Sequence, residues 1–168
     1  MSIRLKKYSY RFAEQVFNGK IELKNELEEI IFESTKDLSI LSRPEFNRIL
    51  KDEFLKKGWI NQPPVFENND DAYAKFDFLK NRVGVEVQFG HSSFIGIDLL
   101  KFQVASFSGL DTIDFGVYIT TTNAFQKEMR TKYNLKWDAS LSFEKVVRYL
   151  PYMRSAIQVP IYVIGIDI

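Results

Sequence analysis

The run from Lys75 to Phe89 constrains this chain more than any other stretch. Val83, Val85, Val87 and Phe89 alternate with Gly84, Glu86 and Gln88, the period-2 pattern of a strand with one apolar face. That pattern projects Glu86 and Gln88 to the same side, away from the valines. Upstream, Asp77 lies between Phe76 and Phe78 in a second strand-like run. A turn at Asn81-Arg82 folds the two runs into a hairpin over about 74–89. Asp77 then sits opposite Glu86, with Cβ atoms roughly 5 Å apart. Two carboxylates held together on a sheet suit a hard divalent cation such as Mg²⁺. The pattern predicts a metal-dependent site with Asp77 and Glu86 as ligands and Gln88 beside them.

The rest of the chain limits what can surround that hairpin. Its 168 residues suffice for one domain with a real core. Hydrophobic residues make up 45% and aromatic ones 15%, which argues against intrinsic disorder. No apolar run approaches the roughly 20 residues of a membrane span. Met1 to Lys7 lacks the apolar stretch of a signal peptide. There is no Cys, which excludes thiolate catalysis and zinc–thiolate sites and fits a cytoplasmic protein. With 23 basic and 22 acidic residues, the net charge of +1 neither announces nor excludes a nucleic-acid partner.

Helical spacing appears over 22–35, where Leu23, Leu27, Ile30 and Ile31 form a stripe among glutamates. A second helix is predicted over 43–57. Ser42-Arg43-Pro44-Glu45 caps it, Phe46, Ile49, Leu50 and Phe54 form its stripe, and Gly58 stops it. Pro63-Pro64 and the run Glu67 to Asp71 break regular structure before the hairpin. Residues 96–107 read as a third helix with Ile97, Leu100, Val104 and Phe107 on one face. Ile113 to Thr121 reads as a strand, and Ser142 caps a fourth helix. Val159 to Ile166 is a nearly all-apolar strand of the kind buried on both faces. The order is α/β, a mixed β-sheet flanked by helices.

A carboxylate, then Glu-x-Gln on the next strand, is a variant of the PD-(D/E)xK nuclease pattern with Gln88 in place of lysine. The segment from Asp77 to Phe89 closely resembles the active-site hairpin of the BglII-type restriction endonucleases. Ile49 to Glu53, Trp59, Asn61, Val159-Pro160-Ile161 and Gly165 extend the likeness over most of the chain. The resemblance implies a PD-(D/E)xK restriction-endonuclease-like core filling 1–168 as a single nuclease domain. It also implies a homodimeric, Mg²⁺-dependent type II enzyme, with Mn²⁺ as a substitute. Such an enzyme cuts both strands of double-stranded DNA at a short palindrome containing GATC. A cognate DNA methyltransferase would act on the same site. Asp77 and Glu86 become metal ligands, and Gln88 positions the attacking water. Gln62 takes a place where the family carries asparagine. This chain stops at Ile168 where BglII-type chains continue, which implies a smaller footprint on DNA.

Hydrolysis of a phosphodiester needs a nucleophilic water and a stabilised phosphate, both within reach of a bound Mg²⁺. Gln88 is neutral and does not titrate, so the proton must go to bulk water, a phosphate or another metal-bound water. Glu26, Glu29 or Glu33 could add an outer-sphere carboxylate. The loop after the second hairpin strand offers His91, Ser92 and Ser93 to base edges. Thr121, Thr122, Asn123, Lys127, Arg130 and Lys132 are candidates for base and phosphate contacts. Two alternatives stand beside this: a repair or methyl-directed nuclease on the same core, or a non-catalytic DNA-binding protein. The intact Asp77, Glu86 and Gln88 speak against the second.

Overall fold

The hairpin forms as its pattern requires, because its turn geometry is right for it. Asn81 and Arg82 both have positive φ, 47° and 64°, the tight turn whose twist matches that of paired strands. Across it, Phe78 pairs with Val85, Leu79 with Gly84 and Lys80 with Val83. The computed structural model describes residues 3–65, 74–107 and 109–168. The predicted break over Glu67 to Asp71 lies outside them.

In chain order the elements are β1 (Arg4–Tyr10), α1 (Ala13–Asn18), α2 (Ile21–Ser34), α3 (Arg43–Lys56), β2 (Ile60–Asn61), β3 (Phe78–Lys80) and β4 (Val83–Val87). They continue with α4 (Ile95–Phe107), β5 (Phe115–Thr121), α5 (Asn123–Tyr133), α6 (Phe143–Tyr149) and β6 (Ile161–Asp167). The strands build one mixed sheet in the order β1-β6-β5-β4-β3-β2. β4, β5 and β6 run parallel, while the flanking pairs are antiparallel. The central strands β5 and β6 are buried throughout, as their apolar runs demand. At one edge β1 carries Arg4, Lys6 and Lys7, charges that discourage further strand addition.

Helices cover both faces of the sheet. On one face Phe17, Leu27, Phe46, Phe54, Phe125 and Trp137 pack on Val83, Val85, Phe89, Val117 and Ile164. On the other, Leu99, Phe102, Val146 and Leu150 pack on Tyr118, Ile161 and Val163. As the alternation predicts, Glu86 and Gln88 project to the face of the sheet opposite Val83 and Val85. They point under α4, and Glu86 is only 3% exposed.

The predicted apolar face of α4 lies mostly outward. Ile97, Leu100 and Phe107 are exposed, and the buried face carries Ile95, Asp98, Leu99, Lys101, Phe102 and Ala105. This helix is apolar nearly all round, so periodicity finds it without choosing its inner face. Helix α5 had no predicted counterpart because its polar surface outweighs two buried anchors, Phe125 and Met129.

Gly116 of β5 lies directly against the Phe102 ring of α4. A Cβ there would stand 2.5 Å from a ring carbon of Phe102. Gly116→Ala should cost about 1–3 kcal/mol through overpacking. A lowered midpoint in urea unfolding checks this, and an unchanged midpoint would show that the helix can retreat.

Candidate active site

Register brings the two predicted carboxylates together. Pairing of Phe78 with Val85 places Asp77, just before β3, opposite Glu86. Asp77 is fixed by its own partner strand: its Oδ2 accepts a 2.7 Å hydrogen bond from the Val87 amide. A cavity of 230 Å³ is lined by Asp77, Glu86, Val87, Gln88, Phe94, Ile97, Asp98 and Lys101. Asp77, Glu86 and Gln88 thus share one space, roofed by α4.

Two cavity residues that sequence reasoning missed control its electrostatics. Lys101 Nζ lies 2.7 Å from Glu86 Oε1 and 3.3 Å from Asp98 Oδ1. Asp98 Oδ2 in turn accepts from Gln88 Nε2 at 2.9 Å and from the Tyr118 hydroxyl at 2.8 Å. Gln88 Oε1 accepts from the Gly90 amide at 2.8 Å, so both ends of that side chain are held. Asp98 and Lys101 were hidden because a charged pair three residues apart on a helix usually marks a solvated face. The one available signal was polar residues at buried-face spacing in an otherwise apolar helix.

Burial pushes the Glu86 carboxyl well above the usual glutamate range, and the neighbouring Asp77 charge adds to this, against the pull of Lys101. Burial also raises Asp77, opposed by its bond from the Val87 amide. Burial alone would lower Lys101, but the Glu86, Asp98 and Asp77 carboxylates around it together outweigh burial and the net shift is upward. A raised carboxyl favours folding while protonated, and that contribution is lost as pH rises through its folded value. Without divalent ions, the unfolding midpoint of the native protein relative to Glu86→Gln should therefore fall as pH climbs above about 4.5, the ordinary glutamate value. Saturating Mg²⁺ should reduce the fall. Parallel midpoints across pH would reveal Glu86 as uncoupled from folding if they did not diverge.

The donor set fits a hard cation. Glu86 Oε1 is buried and accepts no hydrogen bond of good geometry despite its contact with Lys101. Among the described residues no three His, Cys, Asp or Glu converge to form a complete protein cage. Mg²⁺ does not require one, since it keeps several waters and uses one or two carboxylates with substrate oxygens.

Gln62 has φ 50° and its amide donates to the Asp77 carbonyl at 3.0 Å. It lines a neighbouring depression of 220 Å³ with Asn47, Lys51 and Asn61, and Asp77 and Val87 border that space too. His91 and Ser93 are exposed, with His91 Nδ1 accepting from the Ser93 amide, and Ser92 Oγ accepts from Lys145 Nζ at 2.7 Å. Thr121 and Thr122 are fully buried. Thr121 Oγ1 accepts from Gln126, while Thr122 Oγ1 caps α5 and donates to Asp167 at 2.6 Å. The expectation that these two touch DNA is corrected by that burial. Asn123, Lys127 and Arg130 do reach the surface, beside a 180 Å³ depression.

The glutamates of α2 are likewise corrected. Glu26 accepts from Trp59 Nε1 and Lys80 Nζ, Glu29 pairs with Lys57, and Glu33 with Lys36. Helix α2 covers the face of the sheet opposite Glu86, so none of them borders the cavity.

Comparison with known proteins bears on what this cavity serves. The profile of the restriction endonuclease BglII/BglIII family matches residues 5–166, nearly the whole chain. The chain belongs to the BglII/BglIII restriction endonuclease family. Its structure is similar to that of restriction endonuclease BglII complexed with a DNA 16-mer. The TM-score is 0.79 at 22% identity, covering 98% of this chain and 77% of that one. Free BglII gives a TM-score of 0.63 at 22% identity, covering 96% and 78%. No protein of curated function matches the chain. The likeness supports the restriction-endonuclease-like α/β core, and family membership makes DNA endonuclease the activity class. Among the described residues no helix is long and apolar enough to cross a membrane.

Proposed function

We propose that this chain is a Mg²⁺-dependent type II restriction endonuclease that cuts both strands of a short palindromic DNA site containing GATC. The observation that carries the reading is the Asp77–Glu86 pair, with Glu86 buried, which register sets in one cavity of a BglII-family fold. Mg²⁺ bound there would acidify a water and offset phosphate charge, and Mn²⁺ could replace it. Asp77 and Glu86 would hold the ion. Asp77 is kept in place by the Val87 amide. Gln88 would orient the attacking water once its amide turns from Asp98. Gln62, held to the Asp77 backbone, would support that carboxylate from the adjoining depression.

Asn123, Lys127, Arg130, His91 and Ser93 stand exposed for DNA contacts, the cations towards phosphates. A palindrome is met by a two-fold dimer. The exposed Ile97, Leu100 and Phe107 of α4 give a second copy an apolar surface to cover. A methyltransferase of the same specificity would protect the host's own sites.

Unmethylated phage DNA incubated with the protein and Mg²⁺, beside Glu86→Ala, tests the reading. Discrete fragments from the native protein alone support it, and their ends define the site. A Glu86-dependent smear would point to a nuclease without strict specificity. No cleavage in Mg²⁺ or Mn²⁺, on DNA of varied methylation, would leave only DNA binding.

A further inference from the structure

Lys101 stands in a ring of oxygens. Its Nζ is 2.7 Å from Glu86 Oε1, 3.3 Å from Asp98 Oδ1 and 3.1 Å from the Lys75 carbonyl oxygen. It lines the same cavity as Asp77 and Glu86. A buried ion pair is weak support for a fold, since apolar residues of equal volume usually serve stability as well. The strand position where the PD-(D/E)xK pattern has lysine holds Gln88, whose amide is bound to Asp98 and Gly90. One cavity therefore combines a missing strand lysine with a lysine arriving from the helix above.

We propose that Lys101 is this site's lysine, delivered from α4 rather than β4: it pairs with Glu86, yields Glu86 to a divalent ion, and then faces the scissile phosphate. The inference rests on the nuclease reading above. A divalent ion on Glu86 Oε1 and an ammonium on that same oxygen would repel strongly in a buried cavity, so Nζ must leave for the ion to enter. The flexible four-carbon stem permits that swing while its methylenes stay packed. A phosphate in the cavity is the next anion within reach. Lys101 would thereby lower metal affinity before DNA arrives and stabilise phosphate charge afterwards.

These two roles give opposite signs in one variant. Mn²⁺ titrated by electron paramagnetic resonance into native protein, Lys101→Met and Lys101→Arg, without DNA, reads the first. Single-turnover cleavage of phage DNA reads the second. Lys101→Met should bind Mn²⁺ about tenfold more tightly, because a competing charge is gone. It should also cleave about 10²-fold more slowly, the scale of losing one preorganised electrostatic contact. Lys101→Arg should stay near native on both. Where the methionine variant fails to fold, Lys101→Gln keeps a donor to Glu86 without the charge and gives the same pair of readings. Unchanged or weaker Mn²⁺ binding, or cleavage at the native rate, overturns the proposal and leaves Lys101 a structural partner. Native protein without Glu86-dependent cleavage overturns the nuclease reading itself, which the Mn²⁺ titration alone would not do.

Discussion

Glu86→Gln is expected to slow DNA cleavage by about 10³-fold or more while the protein stays folded. The loss follows from removing one of two carboxylates available to the ion. Lewis-acid and charge stabilisation by such an ion contributes several kcal/mol, and about 4 kcal/mol corresponds to roughly 10³-fold in rate. Folding should survive because glutamine keeps the shape, and burial already disfavours the carboxylate at this position. Lys101 retains Asp98 and the Lys75 carbonyl as partners. Single-turnover rates with protein in excess, together with unfolding midpoints, separate chemistry from stability. Cleavage within tenfold of native by a folded Glu86→Gln protein would remove Glu86 from the site.

Asp98→Ala is expected to be the most damaging single change in the cavity for stability. It strips the acceptor from Gln88 Nε2, from the Tyr118 hydroxyl and, in part, from Lys101 Nζ. Breaking a buried charged network from one side typically costs 3–5 kcal/mol, because the partners are left without compensation. For a chain of this size about 3 kcal/mol lowers the melting midpoint by roughly 6–12 °C. An internal control comes from Glu45, whose ion pair with Arg48 is solvent-exposed. Glu45→Ala should lower the melting midpoint far less than Asp98→Ala does. Equal losses for the two variants would mean that the Asp98 network contributes nothing beyond a surface pair.

The hairpin and the helices around it were legible because local physics decides them. Alternating valines specify strand β4, two turn residues with positive φ close the loop, and Ser42 with Pro44 starts α3 within one residue of its predicted bounds. Strand β1 was not legible: Arg4, Lys6, Lys7 and Ser9 interrupt its apolar positions, and pairing with β6 is what makes it a strand. The inner face of α4 was unreadable for the opposite reason, since too many of its residues are apolar.

By itself, then, the sequence determined that Asp77 and Glu86 face each other, because hairpin register depends on residues next to one another in the chain. It also determined the α/β class and the absence of thiol chemistry. Only the tertiary structure decided that Glu86 lies buried beneath a helix, that Asp98 and Lys101 complete its surroundings, and that Thr121 and Thr122 lie inside. Those contacts join β4 to α4 and α5 to β6 across the sheet. They depend on which face of each helix turns inward, and that choice is made by how all the layers pack together.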